Sequence, residues 1–127
     1  LDIALIDLYT AEVDFIKTAA APSFIKRGKQ VSVVNSGSLP IGILNEVDVV
    51  NEKRTLCPND ILVMISDGVM EASRQVNGEQ WIKQLLMDLN ENHPQTIAQM
   101  ILNRALSYCK GNPKDDMTVA CLKIELV

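Results

Sequence analysis

Two acidic motifs in this chain could do chemistry: Ser66-Asp67-Gly68 and, much later, Asp115-Asp116-Met117-Thr118. Ile61-Leu62-Val63-Met64-Ile65, a run suited to burial, stops abruptly at Ser66-Asp67-Gly68. Asp115 and Asp116 stand just ahead of the last apolar stretch. Strand ends present side chains to a mouth or cleft. Gly68 lets the backbone turn sharply, or approach a ligand closely, immediately after the carboxylate. If Asp67 and Asp115 converged to about 4 Å, they would repel by about 4 kcal/mol at an effective dielectric of about 20. A shared proton or a bound cation would relieve that repulsion. Mg²⁺ and Mn²⁺ take carboxylate and water oxygens and need neither His nor Cys. The single histidine, His93, sits at a helix start, so a zinc site built from several histidines is not available.

Each motif also has a plainer use. Ser-Asp-Gly is a common turn, the Asp closing an Asx-turn and the Gly supplying positive φ, and Asp-Asp-Met-Thr reads equally as a loop leading into a strand. An aspartate ending a buried strand could be a phospho-acceptor of the receiver type. That fold needs alternating βαβ units, and the first half of this chain has too many strands in sequence for it. Cys57, Cys109 and Cys121 are odd in number and without a CxxC pair, and Cys57 and Cys109 lack a neighbouring His or a clear cationic setting. They read as reduced core or near-core thiols of an intracellular protein. No G-x-S-x-G, P-loop or G-x-G-x-x-G occurs.

The elements that must position these carboxylates are short. Residues 3–8 are apolar on both faces apart from Asp7, which suits a central strand. Val13 and Phe15 alternate with Asp14 in a second strand. "SFIKRGKQVSVV" predicts a hairpin turning at Arg27-Gly28-Lys29. "NSGSLPIGIL", with Gly37, Pro40 and Gly42, reads as a loop or flap. "VDVVNEK" and "DILVMIS" supply two more strands around a turn at Pro58-Asn59-Asp60. Strands in such succession imply antiparallel pairing. The period then changes: Ile82, Leu85, Leu86 and Leu89 form a helical stripe, with Asn77 as N-cap and Gln80 placed to complete a capping box. A second helix opens at Pro94, turns Ile97, Met100, Ile101, Ala105 and Tyr108 inward, and ends at Gly111 and Pro113. "MTVACLKIEL" closes the chain as a strand, with Ala120, Leu122, Ile124 and Leu126 expected on its inner face.

The bulk numbers bound the reading. The chain has 127 residues, 47% of them hydrophobic and 22% charged, as an ordinary globular domain has. Net charge is -4, aromatics are 4%, and the basic residues are scattered, which argues against a nucleic-acid partner. No apolar run approaches the roughly 20 residues of a membrane span.

"SDGVMEA" followed by "DDMTV" resembles the closing half of the type 2C metal-dependent serine/threonine phosphatases, the PPM family. "IDLYTAEVDFIKTAAAPSFIKRG", "LPIGIL", "DILVMISDG" and "KDDMTV" look, in that order, like a member of that family that acts in sporulation. The resemblance covers essentially the whole chain. It implies an α+β fold: residues 1–127 as the C-terminal part of a four-layer αββα sandwich of two antiparallel sheets. Its site would hold two Mn²⁺ or Mg²⁺ ions at one end of the sandwich, with no catalytic side chain beyond the metal ligands. Carried over by motif, Asp67 and Asp115 are metal ligands, while Gly68 and Asp116 shape the loops. The family also has an earlier Asp-Gly motif whose carboxylate bridges the metals. Here Asp2 precedes Ile3 and Asp7 precedes Leu8, so that ligand and the first strands are expected upstream of Leu1.

The activity implied is hydrolysis of phosphoserine on a phosphorylated anti-anti-sigma factor, which frees a sporulation sigma factor. A non-catalytic regulatory or binding module of the same fold is the alternative. The 127 residues alone are expected to be inactive, and to form a homodimer or domain-swapped assembly because they open on a doubly apolar strand. The resemblance further implies a cytoplasmic domain, attached to the sporulation septum membrane only through segments outside this chain.

Overall fold

The computed structural model describes residues 1–35 and 49–126. Seven strands and three helices follow in order: β1 (Asp2–Ile6), β2 (Glu12–Lys17), β3 (Ser23–Arg27), β4 (Gln30–Val34), β5 (Val50–Thr55), β6 (Ile61–Ile65), α1 (Asp67–Met70), α2 (Gly78–Asp88), α3 (Pro94–Tyr108) and β7 (Val119–Lys123). The "LPIGIL" loop and the first residues of "VDVVNEK" lie outside the described residues. All pairings are antiparallel, in one sheet of order β1-β2-β5 and another of order β4-β3-β6-β7. The β3–β4 hairpin turns at Gly28 as expected, with φ +62, a conformation that glycine adopts without steric cost.

Alternation along β3 and β6 builds the layers. Phe24, Ile61, Val63 and Ile65 face α2 and α3, where they pack with Trp81, Ile82, Leu85, Leu86, Ile97, Ile101 and Ala105. Ile25 and Leu62 point the other way, onto Val13 and Phe15 of β2, with Val34 and Leu56. The central strand β6 is therefore covered on both faces, which is why its sequence is apolar without a break. Each such side chain contributes roughly 1.5–3 kcal/mol by leaving water.

Two lysines are buried in this framework. Lys17 ends β2 with its ammonium donating to Asp2 Oδ1 and to the Ala21 carbonyl, both at 2.8 Å. Lys26 sits on the helix-facing side of β3 and donates to the Leu86 carbonyl and to that of Leu89, 3.1 Å away, closing the C-terminal end of α2. Burial, with Lys29 nearby, holds the Lys26 ammonium below the ordinary lysine range.

The helices begin where the sequence places them. Asn77 caps α2, its Oδ1 accepting from the Gln80 N–H at 3.3 Å, although the return bond from the Gln80 side chain is not made. Pro94 opens α3. Trp81 and Tyr108 join the two helices edge to face, ring centroids 5.3 Å apart.

Four expectations need correction. Among the described residues β1 pairs only with β2 and stands at a sheet edge, where Leu5 is 58% exposed. Met100 is 38% exposed, because it faces the shallow groove between α2 and α3. The face of β7 that the described residues cover is mainly the other one: Cys121 stands opposite Val63, and opposed residues share a face, so Val119 and Cys121 meet the helices, while Ala120 and Leu122, opposite Met64 and Leu62, lie on the sheet–sheet side. Ala120 and Leu122 are exposed, Leu126 is 83% exposed, and only Ile124 of the expected four packs inward, against the sheet–sheet core. Cys57 is exposed as well, because it occupies the turn after β5, where its N–H donates to Asp60 Oδ2.

Candidate metal centre

The neighbouring strands β6 and β7 bring the two acidic motifs to the same end of one sheet. Ile65 stands opposite Val119, so the chain leaving β6 runs beside the chain approaching β7. Ser66 fastens them. Its N–H donates to the Thr118 carbonyl at 3.0 Å, its Oγ accepts from the Thr118 N–H at 2.9 Å, and the same hydroxyl donates to the Asp116 carbonyl at 3.2 Å. A serine at this strand end thus continues the ladder by one step with its side chain.

Asp67 then opens α1, a single turn, where a negative charge suits the exposed backbone N–H groups. Gly68 behind it is buried against the second motif. A Cβ there would lie 2.2 Å from the Asp116 carbonyl oxygen and 3.1 Å from that of Asp115. The close approach expected at Gly68 is therefore made, and the group approaching is the chain's own loop. Asp115 accepts the Asp116 N–H on Oδ1 at 2.8 Å, which fixes one of its oxygens and shapes the turn. The carboxylate-bearing residues Asp67, Asp115 and Asp116 are all exposed.

This donor set is all oxygen and free of His and Cys, which suits a hard divalent cation. Among the described residues no three His, Cys, Asp or Glu side chains gather closely enough to hold a metal. Asp67 and Asp115 offer the kind of oxygen that such a cation takes, at one end of the sheet. The sequence reading overlooked Ser66. The only signal for it was a hydroxyl placed between a buried strand and the first carboxylate.

Cys121 belongs to the core instead of the site. Its thiol is pushed up to about 12 by burial, which keeps it protonated and unreactive.

The family described as Stage II sporulation protein E matches residues 1–125. Stage II sporulation protein E of Bacillus subtilis (strain 168) is 41% identical over 126 residues, covering 98% of this chain and 15% of that protein. The Mn-presoaked structure of the phosphatase domain of the Bacillus subtilis cell fate determinant SpoIIE superposes with a TM-score of 0.88 at 39% identity. It covers 98% of this chain and 56% of that one. The same phosphatase domain in a crystal form without domain swapping gives a TM-score of 0.87 at 41% identity, covering 98% and 55%. The chain therefore spans under a quarter of that curated relative and a little over half of the solved domains.

Proposed function

Because the chain belongs to the stage II sporulation protein E family, we propose that its residues serve a metal-dependent phosphatase acting on phosphoserine in a protein. Asp67 and Asp115 hold Mn²⁺ or Mg²⁺ in this reading. The observation that carries it is the packing of Gly68 on the Asp115-Asp116 backbone, which locks two distant acidic motifs together at one sheet end. The Mn-presoaked relative supports the choice of metal. A bound divalent ion supplies Lewis acidity toward phosphoryl oxygens and lowers the pKa of water. The chain's own residues do the placing. Ser66 fixes the strand ends, Gly68 admits the second loop, and Asp115 is oriented by the Asp116 N–H. No side-chain nucleophile is required.

We take the substrate to be a phosphorylated anti-anti-sigma factor whose dephosphorylation activates a sporulation sigma factor; the resemblance of the motifs supports this. Fewer than three metal-ligating side chains gather among the described residues, which favours a chain that turns over poorly by itself. The non-catalytic alternative differs in outcome, since it needs no turnover from the full-length protein. No helix among the described residues is long and apolar enough to cross a membrane; the septal attachment through segments outside this chain is part of the proposal and is supported by the resemblance alone. The deciding experiment is Mn²⁺-dependent phosphate release from a phosphoserine protein by the full-length chain. Turnover that requires Asp67 supports the proposal, and metal-independent turnover or none at all overturns it.

A further inference from the structure

A cleft of about 430 Å³ opens beside the two carboxylate motifs, with Gly68 and Asp115 in its wall. The same loops that carry the motifs continue around it. Arg74 comes from the segment between α1 and α2, and Lys110 and Lys114 come from the segment between α3 and β7. Three cations thus line one cleft in a chain whose net charge is -4. None of the three side chains makes an ion pair or hydrogen bond with the described residues. Two carboxylates also line the cleft, Glu71 and Asp115. The second is already assigned to the metal, which leaves Glu71 as the single opposing charge.

We infer that this cleft receives an acidic stretch of the substrate protein flanking its phosphoserine, with Arg74, Lys110 and Lys114 pairing its carboxylates. The inference rests on the phosphatase reading above and specifies which substrates that site prefers. The phosphate itself belongs at the metal that Asp67 and Asp115 would hold, and Asp115 with Gly68 lies in the wall of the cleft. An extended peptide advances about 3.3 Å per residue, so residues a few positions from the phosphoserine reach the cations. Arg74 offers a planar fork suited to two carboxylate oxygens, while the lysines act as point charges.

The test uses the full-length protein with Mn²⁺ and two phosphoserine peptides, identical except that flanking Glu residues become Gln in the second. In the wild-type protein kcat/KM for the acidic peptide should exceed that for the neutral one by about tenfold, as three exposed charge pairs together allow. The preference should shrink as salt is added. The triple variant Arg74→Ala, Lys110→Asn, Lys114→Ala should bring the ratio to about one, chiefly by raising KM for the acidic peptide. Asn is chosen at 110 because Lys110 has φ +55, which Asn tolerates. Loss of a merely structural role would lower both peptides alike and keep the ratio, which would overturn the inference. So would an acidic preference that survives the triple variant, or a parallel collapse of p-nitrophenyl phosphate turnover, which would place the cations on the phosphate. Lys114→Glu is the second variant should the triple one fail to fold, and it should invert the preference. A wild-type protein that hydrolyses no ester would overturn the phosphatase reading instead. Fluorescence anisotropy of the labelled acidic peptide, weakened by the triple variant or not, then still decides the cleft.

Discussion

Gly68 and Asp116 are in contact through backbone: the hydrogen of Gly68 occupies the one place where a Cβ would meet the Asp116 carbonyl oxygen at 2.2 Å. Gly68→Ala must therefore push the second motif away. Overpacking of this kind costs about 1–3 kcal/mol. Thermal unfolding should show the loss, and Mn²⁺ titration of the full-length variant should show weakened binding. An alanine variant with unchanged stability and metal affinity would count against the interlock.

Asp67→Asn in the full-length protein should lower Mn²⁺-dependent phosphate release by more than about tenfold, because removing a ligand charge should cost at least about 2 kcal/mol of barrier. Circular dichroism should be unaltered, since Asp67 is exposed and its side chain supports no other element.

Asp115→Asn should weaken metal binding more than Asp116→Asn. Asp116 contributes through its backbone, by its carbonyl to Ser66 and its N–H to Asp115, and both survive the substitution. Isothermal titration of the two variants decides it. A larger loss at 116 would move the ligand by one residue.

Thiol labelling should separate the cysteines. Cys57 is exposed and should react first with iodoacetamide at neutral pH, while the half-buried Cys121, its thiol raised by burial, should react more slowly. The Cys121 thiol is raised from an ordinary 9.0 to about 12 in the folded chain, so the unfolded state releases its proton first. The contribution to stability is whole below pH 9 and is lost as pH rises toward 12. Urea midpoints across that range should therefore fall more steeply for the wild-type chain than for Cys121→Ala.

Leu5, Leu122 and Leu126 are exposed by 58%, 41% and 83%, and such apolar surface invites a second copy. Light scattering of the 127-residue chain at micromolar concentration should report a dimer or larger species. A stable monomer that binds Mn²⁺ tightly would contradict both the assembly and the incomplete ligand set.

Much of this architecture was legible because local chemistry and final position agree. Gly28 marks its hairpin, Asn77 its helix cap and Pro94 its helix start. The unbroken apolar run of β6 announces a strand covered on both sides. The face of β7 was not legible: period two separates Val119 and Cys121 from Ala120 and Leu122, but says nothing of which set the helices cover. The register against Val63 decides that, and register is a tertiary fact. Lys17 and Lys26 were invisible for another reason. A lysine reads as a surface residue until the carbonyls that receive its ammonium are located. At the site, Asp67 and Asp115 stood out by type, whereas Ser66, Arg74, Lys110 and Lys114 acquire meaning only when the two loops are seen together.

The Lys26 contact also bears on the order in which the chain can be assembled. Its acceptor at Leu86 lies 60 residues further along, so during synthesis the strand is made long before its partner exists. An ammonium without acceptors stays hydrated, because stripping its water uncompensated is too costly. The helix-facing side of β3 must therefore remain wet while the opposite side, with Ile25 against the sheet–sheet core, is free to close. The Lys26 contact thus ties the drying of the helix-facing side of β3 to the end of α2.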